Sequence, residues 1–440
     1  MDATILTKLS RLLVGGFILL TAPAVLSAPE EEELPARLPL DELRIFVEAF
    51  DRVSSAYVEE IDDKTLLENA IKGMLAGLDP HSAYLDQDSF SDLQENTTGN
   101  YGGLGLEVGM EDGFIKVIAP MDGTPAAEAG IEAGDLIIQL DDKPVKGMTL
   151  TEAIEVMRGL PGSPVDLTII REAEAMPLEL TLVREVIQVS SVRHRILEDG
   201  FGYIRIAQFQ NNSSQDVGRS IEALTEEQEL RGLVLDLRNN PGGVLQAAVE
   251  VTDLFVDEGL IVYTDGRLPT ADLRFSATSN DRTDGVPIIV LVNAGTASAS
   301  EIVAGALQDH QRAIIMGTNT FGKGSVQTIL PLNESKAIKL TTALYYTPNG
   351  RSIQAEGIVP DIWVERSTVT LARSSSLRVK EKDLRKHLPN VDEDEAAAAG
   401  ESEEEVEIVS NSDLISRDYQ LNEALTVLKG LNIMASKTEP

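Results

Sequence analysis

Two short runs, Gly232-Leu233-Val234-Leu235-Asp236-Leu237 and Val286-Pro287-Ile288-Ile289-Val290-Leu291-Val292, carry apolar side chains on both faces a strand presents. A strand apolar on both sides must be buried on both sides. Each run is followed by turn residues and then a helical pattern, so an α/β core around a largely parallel sheet is expected from about Val186 onward. The chain has 440 residues, more than one ordinary domain of about 100–200 residues.

Upstream of that core the pattern differs. Leu43, Val47, Phe50, Val53 and Tyr57 recur at three- and four-residue steps, which predicts an amphipathic helix from Leu40. A second helix carries Leu66, Leu67, Ala70, Ile71, Met74, Leu75 and Leu78 and stops near Asp79-Pro80. From Tyr101 the chain turns to glycine-punctuated strands (102–108, 114–118, 136–140, 165–170, 178–184) with short helices at 126–129 and 150–158, one small β-rich module over 101–185. Tyr345-Tyr346-Thr347-Pro348-Asn349-Gly350 signals a turn. A basic helical segment is expected at 366–390, an acidic, alanine-rich disordered linker at 391–410, and a last helix at 411–440 with Leu414, Leu421, Leu425, Leu428 and Leu431 on one face.

Lys8 and Arg11, the apolar run Leu12 to Leu20, and the small residues Thr21, Ala22, Ala24, Ser27 and Ala28 describe a secretory signal peptide over 1–28, followed by an acidic linker at 29–39. The run is short for a membrane span of about 20 residues. Lys plus Arg number 37 against 72 Asp plus Glu, a net charge of −35. Such a chain repels phosphate backbones, which argues against nucleic acid as a main partner. With no cysteine, disulfides, zinc–thiolate sites and thiol nucleophiles are excluded.

The segment Asn293 to Glu301, at the end of a buried strand, contains Ser298 three residues before Glu301. A capping box explains that spacing; so does a nucleophile on a strand-to-helix turn, its oxyanion facing helix N-terminal N–H groups. Ser300 is the neighbouring candidate. Of the four histidines, His310 lies about 18 Å along the same helix from Ser298 and cannot be its base, and His81, His194 and His387 have no site-like setting. Lys323, flanked by Gly322 and Gly324, is the alternative base. Its pKa must fall from about 10.4 to roughly 7–8 by desolvation, at a cost on the order of 4 kcal/mol, and Gln327 is near enough in sequence to position it. Gly317 to Lys323 also matches the opening of a phosphate-binding loop, but Gly324 replaces the Ser or Thr that holds Mg²⁺ and a β-like run follows. Asp236 to Gly243 reads equally as a tight turn or as backbone that approaches a substrate oxygen. Gly103-Leu104-Gly105-Leu106 reads as a plain turn, or as a nest for a terminal carboxylate beside a strand edge.

Together these segments resemble the carboxyl-terminal processing (tail-specific) proteases of the serine–lysine type. Leu78 to Ser82, the Gly103 to Leu106 loop, Asp236 to Gly243, Gly295 to Glu301, Thr320 to Gln327 and Tyr346 to Arg351 carry the resemblance, which spans about residues 40–365. It implies a crotonase- or ClpP-like α/β core at 186–365, an inserted PDZ domain at 101–185, and helical segments at both ends, including an N-terminal helical region at 40–100. By the same resemblance Ser298 is the nucleophile, Lys323 the general base and Gln327 the residue that orients it. Ala299 and Gly243, or alternatively Gly242, form the oxyanion hole, and Gly103, Leu104, Gly105 and Leu106 bind the peptide terminus. Arg158 matches a PDZ arginine that couples ligand to active site in some members. Such proteases use no metal or cofactor, act on protein substrates with exposed C-terminal tails, are typically exported to the periplasm and sometimes membrane-associated, form dimers or larger rings, and in some cases need an adaptor lipoprotein. The competing reading is a PDZ scaffold or chaperone that grips tails without cutting; a third is a hydrolase that uses His81.

Overall fold

The two apolar runs form the centre of a six-stranded sheet. Strands β12 (Gly232–Asp236) and β15 (Ile288–Val292) are buried at every residue and pair in parallel, Leu233 opposite Ile288 and Leu235 opposite Val290. The sheet runs β10 (Val192–Glu198), β11 (Phe201–Ile206), β12, β15, β16 (Ala313–Gly317), β19 (Ile362–Trp363), antiparallel only between β10 and β11. The structure, a computed structural model, describes residues 39–121, 123–172, 174, 176–278, 280–368 and 418–436. The signal peptide and most of the linker expected over 1–39, nearly all of the basic segment and the whole acidic linker lie outside the described residues. The chain falls into two units, divided between Ala70 and Ile71.

Strand alternation sorts the sheet's two faces. Leu233, Leu235, Ile288, Val290 and Val292 pack with helices α6 (Ser213–Glu227), α7 (Leu245–Asp253) and α8 (Ala299–Asp309) through Val217, Ile221, Leu224, Val251, Val303 and Leu307. Val234, Ile289, Leu291 and Met316 face the other way, onto Leu421, Ala424, Leu425 and Leu428 of the final helix, α9 (Tyr419–Ser436). The Arg238 guanidinium fastens α9 to the sheet, donating to both oxygens of Asp418 at 2.9 and 2.7 Å and to buried Asp236 at 2.7 Å.

A second, antiparallel sheet supports the loop that carries Lys323. Strand β18 (Ala337–Tyr346) pairs with β17 (Ser325–Pro331), with β13 (Leu260–Gly266), which in turn holds β14 (Arg274–Ser276), and with β1 (Ala83–Leu85). Strand β1 is a departure from the helical region read over 40–100. Three residues are too few to show alternation, and the strand exists because β18 offers it an edge, Ala83 opposite Lys339. The Leu78 to Ser82 turn leads into it: the Asp79 carboxylate accepts from the Ser82 hydroxyl at 2.6 Å and from the His81 and Ser82 N–H groups at 2.7 and 2.8 Å. Those bonds, the Ser82 hydroxyl first, hold the Asp79 pKa down at about 2.

Between β1 and β10 the chain leaves the core. Helix α3 (Gln87–Thr98) leads to a two-stranded ribbon, β2 (Asn100–Gly103) with β9 (Glu185–Gln188), which encloses a six-stranded sheet. Its strands are β3 (Leu106–Glu111), β4 (Phe114–Pro120), β5 (Leu136–Leu140), β6 (Lys143–Pro144), β7 (Pro164–Ile170) and β8 (Leu178–Val183), with helices α4 (Pro125–Glu128) and α5 (Leu150–Met157). Ile115, Val117, Ile137, Leu140, Leu167 and Ile169 make its separate core with Ala153 and Met157 of α5. Helix α5 starts where Thr149 and Glu152 close a capping box. The architecture is the expected one: a mixed α/β core, a β-rich insert, and helices at the ends. At the N-terminal end, helices α1 (Leu40–Ala56) and α2 (Asp63–Ala76) form as the periodicity predicts, and α1 buries none of its residues. Among the described residues no helix is long and apolar enough to cross a membrane.

Candidate active site

Ser298 sits where β15 has ended and α8 begins, with φ 59° and ψ −118°. Positive φ is uncommon for a residue with a Cβ and marks a backbone held against its preference. The holding bonds are identifiable. Thr296, fully buried, donates its hydroxyl to the Leu237 carbonyl at 2.8 Å, and the Ala297 N–H reaches the Asn240 carbonyl at 2.9 Å. The Ser300 hydroxyl is buried on the same Asn240 carbonyl at 3.0 Å, which separates the two candidate serines: Ser300 is tied into the core, while Ser298 lines a cavity of about 410 Å³. The Glu301 half of the capping box is made, its carboxylate accepting from the Ser298 N–H at 2.7 Å, so a capped helix end and a Ser298 side chain facing the cavity are not alternatives.

The Asp236 to Gly243 segment lies directly against this turn. A Cβ at Gly242 would stand 2.8 Å from the Ser298 Cβ and 3.0 Å from the Ala299 nitrogen, and one at Gly243 would stand 2.1 Å from the Phe209 carbonyl oxygen. Only glycine permits that approach. The Gly242 N–H is held by Asn240 Oδ1 at 2.9 Å. Among the described residues the N–H groups of Gly243 and Ala299 have no acceptor, and both residues line the cavity with Ser298.

Lys323 enters the same cavity from the loop between β16 and β17. Burial lowers its pKa below the ordinary lysine value by removing water from the ammonium, and the positive charge of Lys339 pushes the same way, against the opposing pull of Asp79 and Glu301. Gln327 lines the cavity too, but its amide nitrogen donates to the Ser325 and Thr341 hydroxyls at 3.1 and 3.2 Å. The apolar wall comes from Leu93, Val244, Leu245, Ile302, Val326 and Ile329. The segment after Lys323 is strand β17, not the helix a phosphate-binding loop requires.

Two residues that the sequence did not assign to the site join Ser298 to Lys323. The Glu301 carboxylate, fully buried, accepts from the Ser298 N–H at 2.7 Å and the Lys323 N–H at 2.9 Å on one oxygen, and from the Thr320 hydroxyl at 2.5 Å and the Gly322 N–H at 2.7 Å on the other. Tyr345, also buried, donates its hydroxyl to the Lys323 carbonyl and lies within hydrogen-bonding reach of the Ser298 side chain. The only sequence signal for Glu301 was its capping-box spacing, which named one of its four donors. Of the histidines, His310 caps the far end of α8 and contacts the Leu260 carbonyl at 2.7 Å, while His194 pairs with Ser220 at 3.1 Å. His387 lies outside the described residues. His81 is not part of the cavity wall, although burial first and then Lys323 lower its pKa.

A second cavity, of about 290 Å³, opens beside the insert's glycine loop and is lined by Gly103, Leu104, Gly105 and Leu106 with Val108, Ile154, Met157 and Arg158. Gly105 has φ +74°, and a Cβ there would stand 2.4 Å from the Thr124 side chain. Arg158 lies 4.7 Å over the Tyr101 ring and pairs with Glu95 of α3 at 3.1 Å. The same helix sends Leu93, Asn96 and Thr97 into the wall of the first cavity.

An α/β core that turns a strained serine and a half-buried lysine into one cavity is joined to a β-rich module with a glycine-lined groove, and the chain's relatives identify that combination as a serine-type peptidase with a PDZ domain. The matching families agree on both parts: Peptidase family S41 covers residues 200–364, a PDZ domain 116–171, and the activating protease CtpB N-terminal domain 23–89. A carboxy-terminal-processing protease of Bartonella bacilliformis is 47% identical over 396 residues, 88% of each chain. A carboxyl-terminal-processing protease of Synechocystis is 38% identical over 380 residues, 83% of this chain and 88% of its own. A solved photosystem II D1 C-terminal processing protease is 32% identical, covers 74% of this chain and 93% of its own, and superposes with a TM-score of 0.43. The chain belongs to the carboxyl-terminal processing proteases of peptidase family S41, serine-type peptidases with a PDZ domain.

Proposed function

We propose that this protease cleaves peptide bonds with a Ser298–Lys323 dyad, on substrates whose C-terminal tails the PDZ groove captures. The observation that carries the reading is the convergence on one cavity of a serine with strained backbone, an amine with lowered pKa, and two backbone N–H groups that have no acceptor among the described residues. Neutral Lys323 takes the Ser298 proton as the oxygen attacks the scissile carbonyl. The oxyanion is received by the Ala299 and Gly243 N–H groups; Gly242 is the weaker candidate, because its N–H is already bonded to Asn240. The protonated lysine then gives its proton to the leaving amine, and water releases the acyl-enzyme. Gln327 acts from the wall of the cavity through its link to Ser325, keeping the lysine's surroundings fixed. Leu104 and Leu106, with Gly103 and Gly105 between and beside them, offer backbone N–H groups to the tail's carboxylate.

Arg158 is the coupling residue of this reading, because it lines the groove and grips a helix that also walls the cleavage cavity. Export to the periplasm rests on the basic, apolar and small-residue order of residues 1–28. Self-association rests on α1, whose Leu43, Phe46, Val47 and Val53 are all exposed. The test is to incubate wild type and Ser298→Ala with an unfolded protein. Cleavage by wild type alone is expected, with Ser298→Ala still binding a C-terminal peptide; equal proteolysis by both refutes the nucleophile.

A further inference from the structure

Lys339 lies on β18, opposite Ala83 of β1 on one side and Ile329 of β17 on the other. It is half-buried and lines the cavity that holds Ser298 and Lys323. That wall contains two lysines and no aspartate or glutamate, in a chain of net charge −35. An ammonium drawn partly out of water is stabilised by a counter-charge, yet the Lys339 side chain has no ion pair or hydrogen bond among the described residues. The two carboxylates that act on neighbouring Lys323 are committed elsewhere: Asp79 to His81 and Ser82, Glu301 to its four donors. Among the described residues that counter-charge is missing, and a carboxylate of a bound peptide would supply it.

We propose that Lys339 is a specificity-determining residue that receives a carboxylate of the bound peptide close to the scissile bond. The inference rests on the Ser298 cavity being the cleavage site. The ligand is a peptide with apolar residues for the Leu245, Ile302 and Ile329 wall and one carboxylate near the cut, supplied by an acidic side chain or by the chain's own terminus.

The test uses the full-length protease and a peptide series with Glu at each of the three positions on either side of the cut, each paired with its Gln counterpart. A shorter peptide, ending within that window, is made as free acid and as amide. Wild type is expected to prefer the acid about tenfold in kcat/KM at one position, chiefly through KM. Lys339→Gln abolishes that preference and Lys339→Arg keeps it. Preference for Glu assigns the side chain as source, and preference for the free acid assigns the terminus. The PDZ groove also meets carboxylates, so only the part of an acid preference that disappears in Lys339→Gln counts. If Lys339→Gln lowers every substrate by the same factor, or if no peptide shows a preference that depends on Lys339, the proposal is overturned. The same series is titrated against Ser298→Ala with and without Lys339→Gln. Loss of acid-selective binding there supports Lys339 even if the dyad reading fails for lack of cleavage.

Discussion

Replacing Glu301 by glutamine keeps the side chain's volume and removes its charge, at a point where four donors converge on two oxygens. The amide has one oxygen, so one pair of donors must face an NH₂ group. If the oxygen keeps Ser298 and Lys323, the Gly322 N–H and the Thr320 hydroxyl lose their acceptor, and Thr320 is already accepting from the Ile358 N–H at 2.7 Å. If it turns round, the Ser298 and Lys323 N–H groups are the ones opposed. Hydrogen bonds to a charged group contribute about 1.5–3 kcal/mol each, and a buried donor left unpaired costs about 1–3 kcal/mol. Losing two such bonds with no water to replace them, offset in part by local relaxation, should destabilise the core by about 3–5 kcal/mol. At roughly 2–4 °C per kcal/mol for a domain of this class, the melting temperature should fall by about 10 °C. Circular dichroism melts of wild type and Glu301→Gln measure that shift. Turnover at 25 °C, where the variant is still folded, should fall by more than stability alone explains, because Ser298 and Lys323 hang on the same oxygen. A variant that melts within 2 °C of wild type and turns over equally would refute the clasp.

The acylation rate should rise with pH, since only the neutral amine accepts a proton. Burial and Lys339 lower the Lys323 pKa while Asp79 and Glu301 raise it, so the rise should level off below the pH at which an ordinary lysine deprotonates. Removing the repulsion in Lys339→Gln should move the inflexion to higher pH, with His81, whose own pKa is lowered, titrating below it. A single-turnover profile that is flat from about pH 6 to 9 would rule out Lys323 as base. In the groove, Gly105→Ala sets a methyl group 2.4 Å from Thr124 at a positive φ and should weaken binding of a C-terminal peptide at least tenfold. Fluorescence anisotropy in the Ser298→Ala background reads this, and unchanged affinity would exclude the loop as the carboxylate cradle.

What could be read from the sequence was whatever one local pattern dictates. Gly232 to Asp236 and Ile288 to Val292 announced themselves as central strands because both of their faces are apolar, and Asp79-Pro80 marked a helix end because proline cannot continue one. Ser298 and Lys323 were nameable from their glycine- and alanine-rich surroundings. The residues that assemble around them were not. Three of the four donors to Glu301 lie 19–22 residues away, on a loop whose closure no periodicity encodes. Lys339 reads as an ordinary position on a two-sided strand until β1 arrives beside it from residue 83. Asp418 gives no hint that its partner is Arg238, 180 positions earlier.

The last helix has a consequence for how the molecule is made. Val234, Ile289, Leu291 and Met316 are covered by Leu421, Ala424, Leu425 and Leu428, so among the described residues one side of the central sheet gains its apolar cover only once the ribosome has passed residue 428. All six strands of that sheet are complete by Trp363. A nascent or truncated chain that stops in between carries every residue that lines the Ser298 cavity on a scaffold with an uncovered flank, prone to stick to its neighbours. Arrival of the closing segment, locked by one arginine, is what turns such a chain into a durable enzyme.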